Sequence, residues 1–321
     1  MHATEIAALL GSRRAEDRIR AVGLMPRVPE AERRELLLRA LQDKTNYVAA
    51  EAAKQLADCA DDAAEAAMVE RFLWLAEKGA QRDVGCHIRA NLALAFGKRE
   101  CHLASDALRI GIRTVQIEAV GGVPFDVGAY LRANSALALA QMRARGALRD
   151  IAPMLFDFAV NRLGANGSAL KIGSDSRKAA ARALGILGNP DALAVLAIKL
   201  MFPGDELLDV LQECMESLLA LRDDRALELL TPYLQIHPDE MLSAYAGLMI
   251  AQTRDPAAPV LLRDALPRFS GDALQVVLLA LTTLRTPDAE AILEELSRDG
   301  SRAVQRILSE VWQRETRDAT S

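Results

Sequence analysis

Leu-Gly-Asn-Pro-Asp-Ala-Leu at 187–193 returns in altered form as Leu221-Arg222-Asp223-Asp224-Arg225-Ala226-Leu227, Thr253-Arg254-Asp255-Pro256-Ala257-Ala258 and Leu284-Arg285-Thr286-Pro287-Asp288-Ala289. With Gly188, Arg222, Arg254 and Arg285 taken as equivalent, the steps are 34, 32 and 31 residues. A period in that range belongs to a stacked array: each unit is too small to bury its own apolar face and must hide it against a neighbour. An array has no fixed size, so the 321 residues are expected to form one body, 1–321.

The interior must be aliphatic. Hydrophobic residues make up 51% of the chain and aromatic ones only 4%, which favours closely packed helices rich in Ala and Leu over a sheet, which would want more β-branched and aromatic side chains. The net charge of −5 argues against a nonspecific grip on a phosphate backbone, which needs concentrated cation. No apolar run approaches the roughly 20 residues that cross a bilayer, and the first residues lack a signal-peptide core, so a cytoplasmic location is expected. Cys59, Cys86, Cys101 and Cys214 contain no Cys-x-x-Cys and read as reduced thiols.

Five segments align without gaps from an apolar or small residue followed by Arg or its equivalent: Ile19-Arg20, Val48-Ala49, Ile88-Arg89, Leu131-Arg132 and Ser176-Arg177. Each continues with apolar residues at three- and four-residue steps, the mark of a helix with one buried face. Each follows another amphipathic stretch, and such stretches continue through the C-terminal half.

These residues resemble the HEAT-repeat family, including its shorter form named after the phycobilisome lyases, over nearly the whole chain. The family unit is a helix, a turn carrying Asp, and a second helix opening with an apolar-Arg pair six residues beyond that Asp. Asp83 to Arg89 and Asp126 to Arg132 reproduce the spacing, Asp43 to Ala49 keeps only the acid, Asp205 faces Leu211, and later units lose both. The resemblance implies a right-handed α-solenoid, all-α, of about nine helical hairpins. It also implies that Arg and turn Asp form a ladder of charge-assisted hydrogen bonds between neighbouring units.

Between positions 49, 89, 132 and 177 the steps lengthen to 40, 43 and 45 residues. Most of the excess lies within helical pairs, at 114–128 and 164–175, where Gly121, Gly122, Pro124, Gly164, Gly167 and Gly173 break helix. Equivalent turns share one edge of an array about 10 Å apart, so the two inserts are expected to meet. They either bind a partner or cover an apolar edge.

Arg113 could hold a carboxylate or phosphate and Gln116 could donate and accept beside the Gly-Gly turn, or Arg113 could satisfy its own helix terminus and pair with Glu118. The Gly-Ile-Arg-Thr-Val-Gln run before the Gly-Gly loop also resembles a recurring feature of bacterial HEAT-repeat proteins. Arg20, Arg89, Arg132 and Arg177 share one repeat position, as a ladder or as a basic track. Asn91 and Asn134 bridge units or reach a ligand. Cys86-His87 and Cys101-His102 sit at opposite ends of one helix, on the order of 20 Å apart at 1.5 Å per residue, too far to share one metal ion. Cys86 reads as a small buried residue, with a reactive thiol at a helix N-terminus as the alternative. No Gly-x-Ser-x-Gly or His-Glu-x-x-His is present.

The expected function is noncovalent: a scaffold or adaptor, not an enzyme, without metal or cofactor, gripping a protein or peptide on its concave face and central loop edge. The nominated contacts are Arg113, Gln116, Glu118, Asp126, Arg132, Asn134, Lys171 and Arg177. The alternative that the resemblance offers is a lyase-like chaperone or enzyme handling a tetrapyrrole. Nucleic-acid binding is less favoured, because aromatic residues for base stacking are few.

Overall fold

A computed structural model describes residues 3–157 and 174–318. The chain divides into two compact units, Met1–Leu187 and Gly188–Ser321. In the first, α1 (Ala3–Leu10) pairs with α2 (Ala15–Leu24), α3 (Glu30–Ala40) with α4 (Asn46–Leu56), and α5 (Asp62–Glu77), through the short α6 (Gly79–Arg82), with α7 (His87–Lys98). Next, α8 (Ser105–Arg113) reaches α9 (Ala129–Gln141) through strands β1 (Ile117–Val120) and β2 (Val123–Asp126), and α10 (Ala147–Leu155) precedes α11 (Asp175–Leu187). The second unit pairs α12 (Pro190–Met201) with α13 (Leu208–Ala220), α14 (Ala226–Ile236) with α15 (Glu240–Thr253), α16 (Ala258–Ala265) with α17 (Gly271–Leu284), and α18 (Pro287–Asp299) with α19 (Arg302–Asp318).

Each unit is thus a stack of helical hairpins, the solenoid class expected from the repeats, with nine pairs among the described residues. Second helices pack in succession, α4 on α7, α7 on α9 and α9 on α11 in one unit, α13 on α15 and α15 on α17 in the other. Their contact faces are mostly Ala and Leu: Ala49, Ala52, Ala53 and Leu56 on α4, and Leu92, Ala93, Ala95 and Phe96 on α7, are all buried. Small side chains let the axes come close. At Gly97 even an added Cβ would lie 3.0 Å from the Cα of Ala138 on α9.

The repeated phrase has a definite conformational meaning. Gly188, Arg222, Arg254 and Arg285 all adopt left-handed backbone, with φ of 66, 52, 56 and 49° in that order. Glu100 and Arg143 hold the same conformation after α7 and α9. The Cys101 amide donates to the Phe96 carbonyl at 2.9 Å and the Ala144 amide to Leu139 at 3.0 Å, the long bond of a Schellman termination. The next residues start the following pair: Asn189 accepts from the Ala192 amide and Thr286 from the Ala289 amide, with Pro190 and Pro287 in the first helical turn. The motif therefore encodes the stop of one helix and the start of the next.

Glycine occupies this left-handed position without strain only at 188; an L side chain there costs about 1–2 kcal/mol. Arg222→Gly, Arg254→Gly and Arg285→Gly should each stabilise the chain by about 0.5–1 kcal/mol, less than the strain relieved because glycine also loosens the unfolded chain. Urea unfolding midpoints check this, with Gln252→Gly, in regular helix before the same terminus, expected to move the other way.

The insert at 114–128, expected only as a helix-breaking loop, is a β-hairpin. Its register pairs Ile117 with Asp126, Glu118 with Phe125, Ala119 with Pro124 and Val120 with Val123. Gly121 and Gly122 turn the chain with φ of 59 and 83°, the two successive positive values that a two-residue type I′ turn requires. Residues 164–173 of the second insert, with Lys171, lie outside the described residues.

Candidate functional site

The hairpin is anchored by charge taken out of water. Asp83 is wholly buried and Arg89 is 2% exposed. The Asp83 carboxylate accepts from the Ile88 and Arg89 amides at the start of α7, at 2.9 and 3.1 Å, and from Arg89 Nε at 2.9 Å. It therefore caps the helix and neutralises the guanidinium together. Arg89 Nη2 reaches forward to Gln116 Oε1 at 2.6 Å, and Gln116 Nε2 returns to the Asp83 carbonyl at 3.0 Å. Gln116 thus ties the root of the hairpin to the turn of the preceding pair.

The next pair repeats the device. Asp126 Oδ1 accepts from the Gln116 and Gly128 amides at 3.2 and 3.0 Å, and its Oδ2 faces Arg132 Nη2 at 2.7 Å. Arg132 also donates to the Thr114 carbonyl at 2.8 Å. Glu118 accepts from the Gly85 amide at 3.0 Å. The six-residue acid-to-Arg spacing therefore closes each pair inside its own turn and helix, while Gln116 and Glu118 join neighbouring pairs. This corrects the expectation of an Arg–Asp ladder running from unit to unit.

At the N-terminal end the register differs from the aligned one. Arg20 is exposed, and the buried base is Arg18, whose Nε reaches Asp43 at 2.7 Å and whose Nη2 reaches Thr45 at 2.7 Å. Here the bond does cross between pairs, and it supplies Asp43 with the base that Ala49 lacks. In the second unit a different buried pair, Lys199 Nζ with Glu206 at 2.7 Å, spans the α12–α13 connection.

Of the nominated contacts, Gln116, Asp126 and Arg132 are interior supports, and Arg177 is buried at the matching helical position. Asn134 donates to the Ala90 carbonyl at 2.9 Å, as Asn91 does to Ala50 at 2.8 Å, so both asparagines bridge second helices. Arg113 is exposed but pairs with Asp150 at 3.1 Å, not with Glu118. Cys86 is buried and accepts from Arg89 at 3.2 Å. Burial above all pushes its thiol up to about 12, against the pull of Arg89. Among the described residues no three His, Cys, Asp or Glu gather as metal ligands, and no helix is long and apolar enough to cross a membrane.

What these supports hold outward is apolar. Val123 is 65% exposed and Phe125 47%, with Ile117, Val120 and, at the start of α9, Tyr130 also exposed. Sequence reasoning passed over these residues in favour of their polar neighbours. The alternation of apolar residues flanking Gly121-Gly122 is the signal that marks them.

The second unit carries an open groove of 1390 Å³, lined by Glu216, Arg222, Asp223, Tyr245, Arg254 and Asp255 among others. Three of its four acids are already committed: Asp223 binds the amide and guanidinium of Arg225, Asp255 accepts from the Ala257 amide, and Glu216 accepts from the Tyr245 hydroxyl.

No protein-family model matches the chain, and no curated protein matches it. Among solved structures, YibA of Escherichia coli is 17% identical with a TM-score of 0.52, over 89% of this chain and 93% of that one. The complex of CpcE and CpcF of phycocyanin lyase from Nostoc is 19% identical with a TM-score of 0.45, over 83% and 94%. Human deoxyhypusine hydroxylase in complex with glycerol is 14% identical with a TM-score of 0.34, over 88% and 95%. These are HEAT-like helical repeat proteins, and the likeness is one of fold. The presence of a lyase and a hydroxylase among them corrects the expectation that the chain is not an enzyme: this architecture does not exclude catalysis.

Proposed function

We propose that the chain binds a protein or peptide partner through the central edge of its first unit, with the hairpin at 117–126 as the gripping element. The observation that supports this reading is the contrast between the two sides of the hairpin. Its root carries fully buried ion pairs, and burying charge is costly unless every group is paired. Its tip exposes Val120, Val123 and Phe125 to water. An apolar loop surface held on a rigid support is the usual form of a recognition element. Gln116, Asp126 and Arg132 then act as positioning residues, and Arg113 and Tyr130 lie within the exposed surroundings of the hairpin's helices. No observation favours the tetrapyrrole-handling alternative.

Affinity capture with the intact chain, against the Val123→Asp, Phe125→Asp double variant, tests the reading. Both side chains are exposed, so the variant should unfold at the same temperature as the parent and lose the captured protein. Equal capture by both chains would remove the hairpin from consideration.

A further inference from the structure

The hairpin is a two-stranded sheet with two unlike outer edges. The Val127 amide donates to the Gln116 carbonyl at 2.9 Å. Antiparallel pairing alternates between bonded and non-bonded positions, so from that bond Glu118 with Phe125 and Val120 with Val123 are the bonded pairs. The peptide groups of Ile117 and Ala119 on β1, and of Pro124 and Asp126 on β2, therefore point away from the hairpin. Proline at the outward position 124 has no amide hydrogen, which blunts the β2 edge. The β1 edge keeps its full set. Among the described residues no backbone bond from another element reaches Ile117 or Ala119, and both residues are exposed.

We infer that β1 receives an extended peptide strand of a partner protein, which adds to the sheet by bonding the Ile117 and Ala119 peptide groups. This inference rests on the proposed role of the hairpin and specifies how the partner is held. Main-chain bonds at 117 and 119 would supply register, while the exposed β1 side chains Ile117 and Val120 would pack apolar side chains of the added strand.

A second copy of this chain is disfavoured as the occupant. Two β1 strands paired antiparallel so that the outward peptide groups of Ile117 and Ala119 bond those of Ala119 and Ile117 in the other copy place Glu118 directly against Glu118, and like charges in directly opposed positions repel. The strand that fits carries an apolar or basic residue opposite Glu118, flanked by β-branched or aromatic residues.

The probe is a displayed library of random octapeptides panned against the full chain. Enriched peptides should slow hydrogen exchange of the Ile117 and Ala119 amides at least tenfold and bind Ala119→Pro at least tenfold more weakly, since this substitution removes an outward amide that the hairpin does not use. Because proline could disturb the hairpin itself, peptides N-methylated at alternate residues provide a second measurement on the unaltered chain. One alternate set should abolish binding and the other preserve it. Peptides that bind without protecting Ile117 and Ala119, or that tolerate both methylated sets, would overturn strand addition; if their binding is nevertheless lost in Val123→Asp, Phe125→Asp, the hairpin reading survives and only the strand inference fails. Failure to enrich any peptide would overturn the strand inference too.

Discussion

Asp83→Ala should destabilise the chain by about 3–5 kcal/mol, the usual cost of removing one partner from a buried ion pair. The magnitude follows from what remains. Arg89 keeps its charge at 2% exposure and loses the carboxylate that held its Nε at 2.9 Å. The Ile88 and Arg89 amides lose their acceptor as well, so α7 loses its cap along with its counter-ion. For an array of this size the transition should fall by roughly 10 °C. Asp58→Ala offers the control: it breaks the exposed pair with Lys98, and exposed pairs contribute little, so its midpoint should stay where the parent's is. Thermal unfolding followed by circular dichroism measures both. An Asp83→Ala chain that melts with the parent would mean the network is not a support.

In the second unit, Lys199→Met should cost about 3–5 kcal/mol as well, because the Glu206 carboxylate stays wholly buried after losing the ammonium that lies 2.7 Å from it. Adding Glu206→Gln should recover more than half of that loss. The amide removes the buried negative charge yet keeps an oxygen for the Leu207 amide, from which Glu206 Oε1 accepts at 2.9 Å. Burial also raises the neighbouring Cys214 thiol to about 12, with Lys199 pulling against it, so this pocket has little capacity to solvate charge. A double-mutant cycle in urea isolates the coupling. Additive losses would mean that the two residues are held by something other than each other.

The array was legible because its signals are local. Helix stops at 188, 222, 254 and 285 and starts at Asn189 and Thr286 leave Gly, Asn, Thr and Pro at fixed offsets, and Ala-rich faces recur at helical spacing. The acid-to-Arg spacing was equally plain at Asp83 and Asp126. What it joined was not: spacing fixes which residues are near in the chain, whereas Gln116 reaches Arg89 across 27 positions and Arg18 reaches Asp43 across 25. Polar residues beside the Gly-Gly turn looked like contacts because sequence cannot tell a solvated Arg from one buried on a carboxylate. Their burial at Gln116, Asp126 and Arg132 moves the exposed surface to the apolar residues that alternate with them.

The hairpin at 117–126 as the gripping surface is tested most directly by the affinity of the captured protein for the parent and for the Val123→Asp, Phe125→Asp chain. The dissociation constant should rise at least a hundredfold in the variant, about 2.7 kcal/mol, with an unchanged unfolding temperature. Equal constants for the two chains would contradict it.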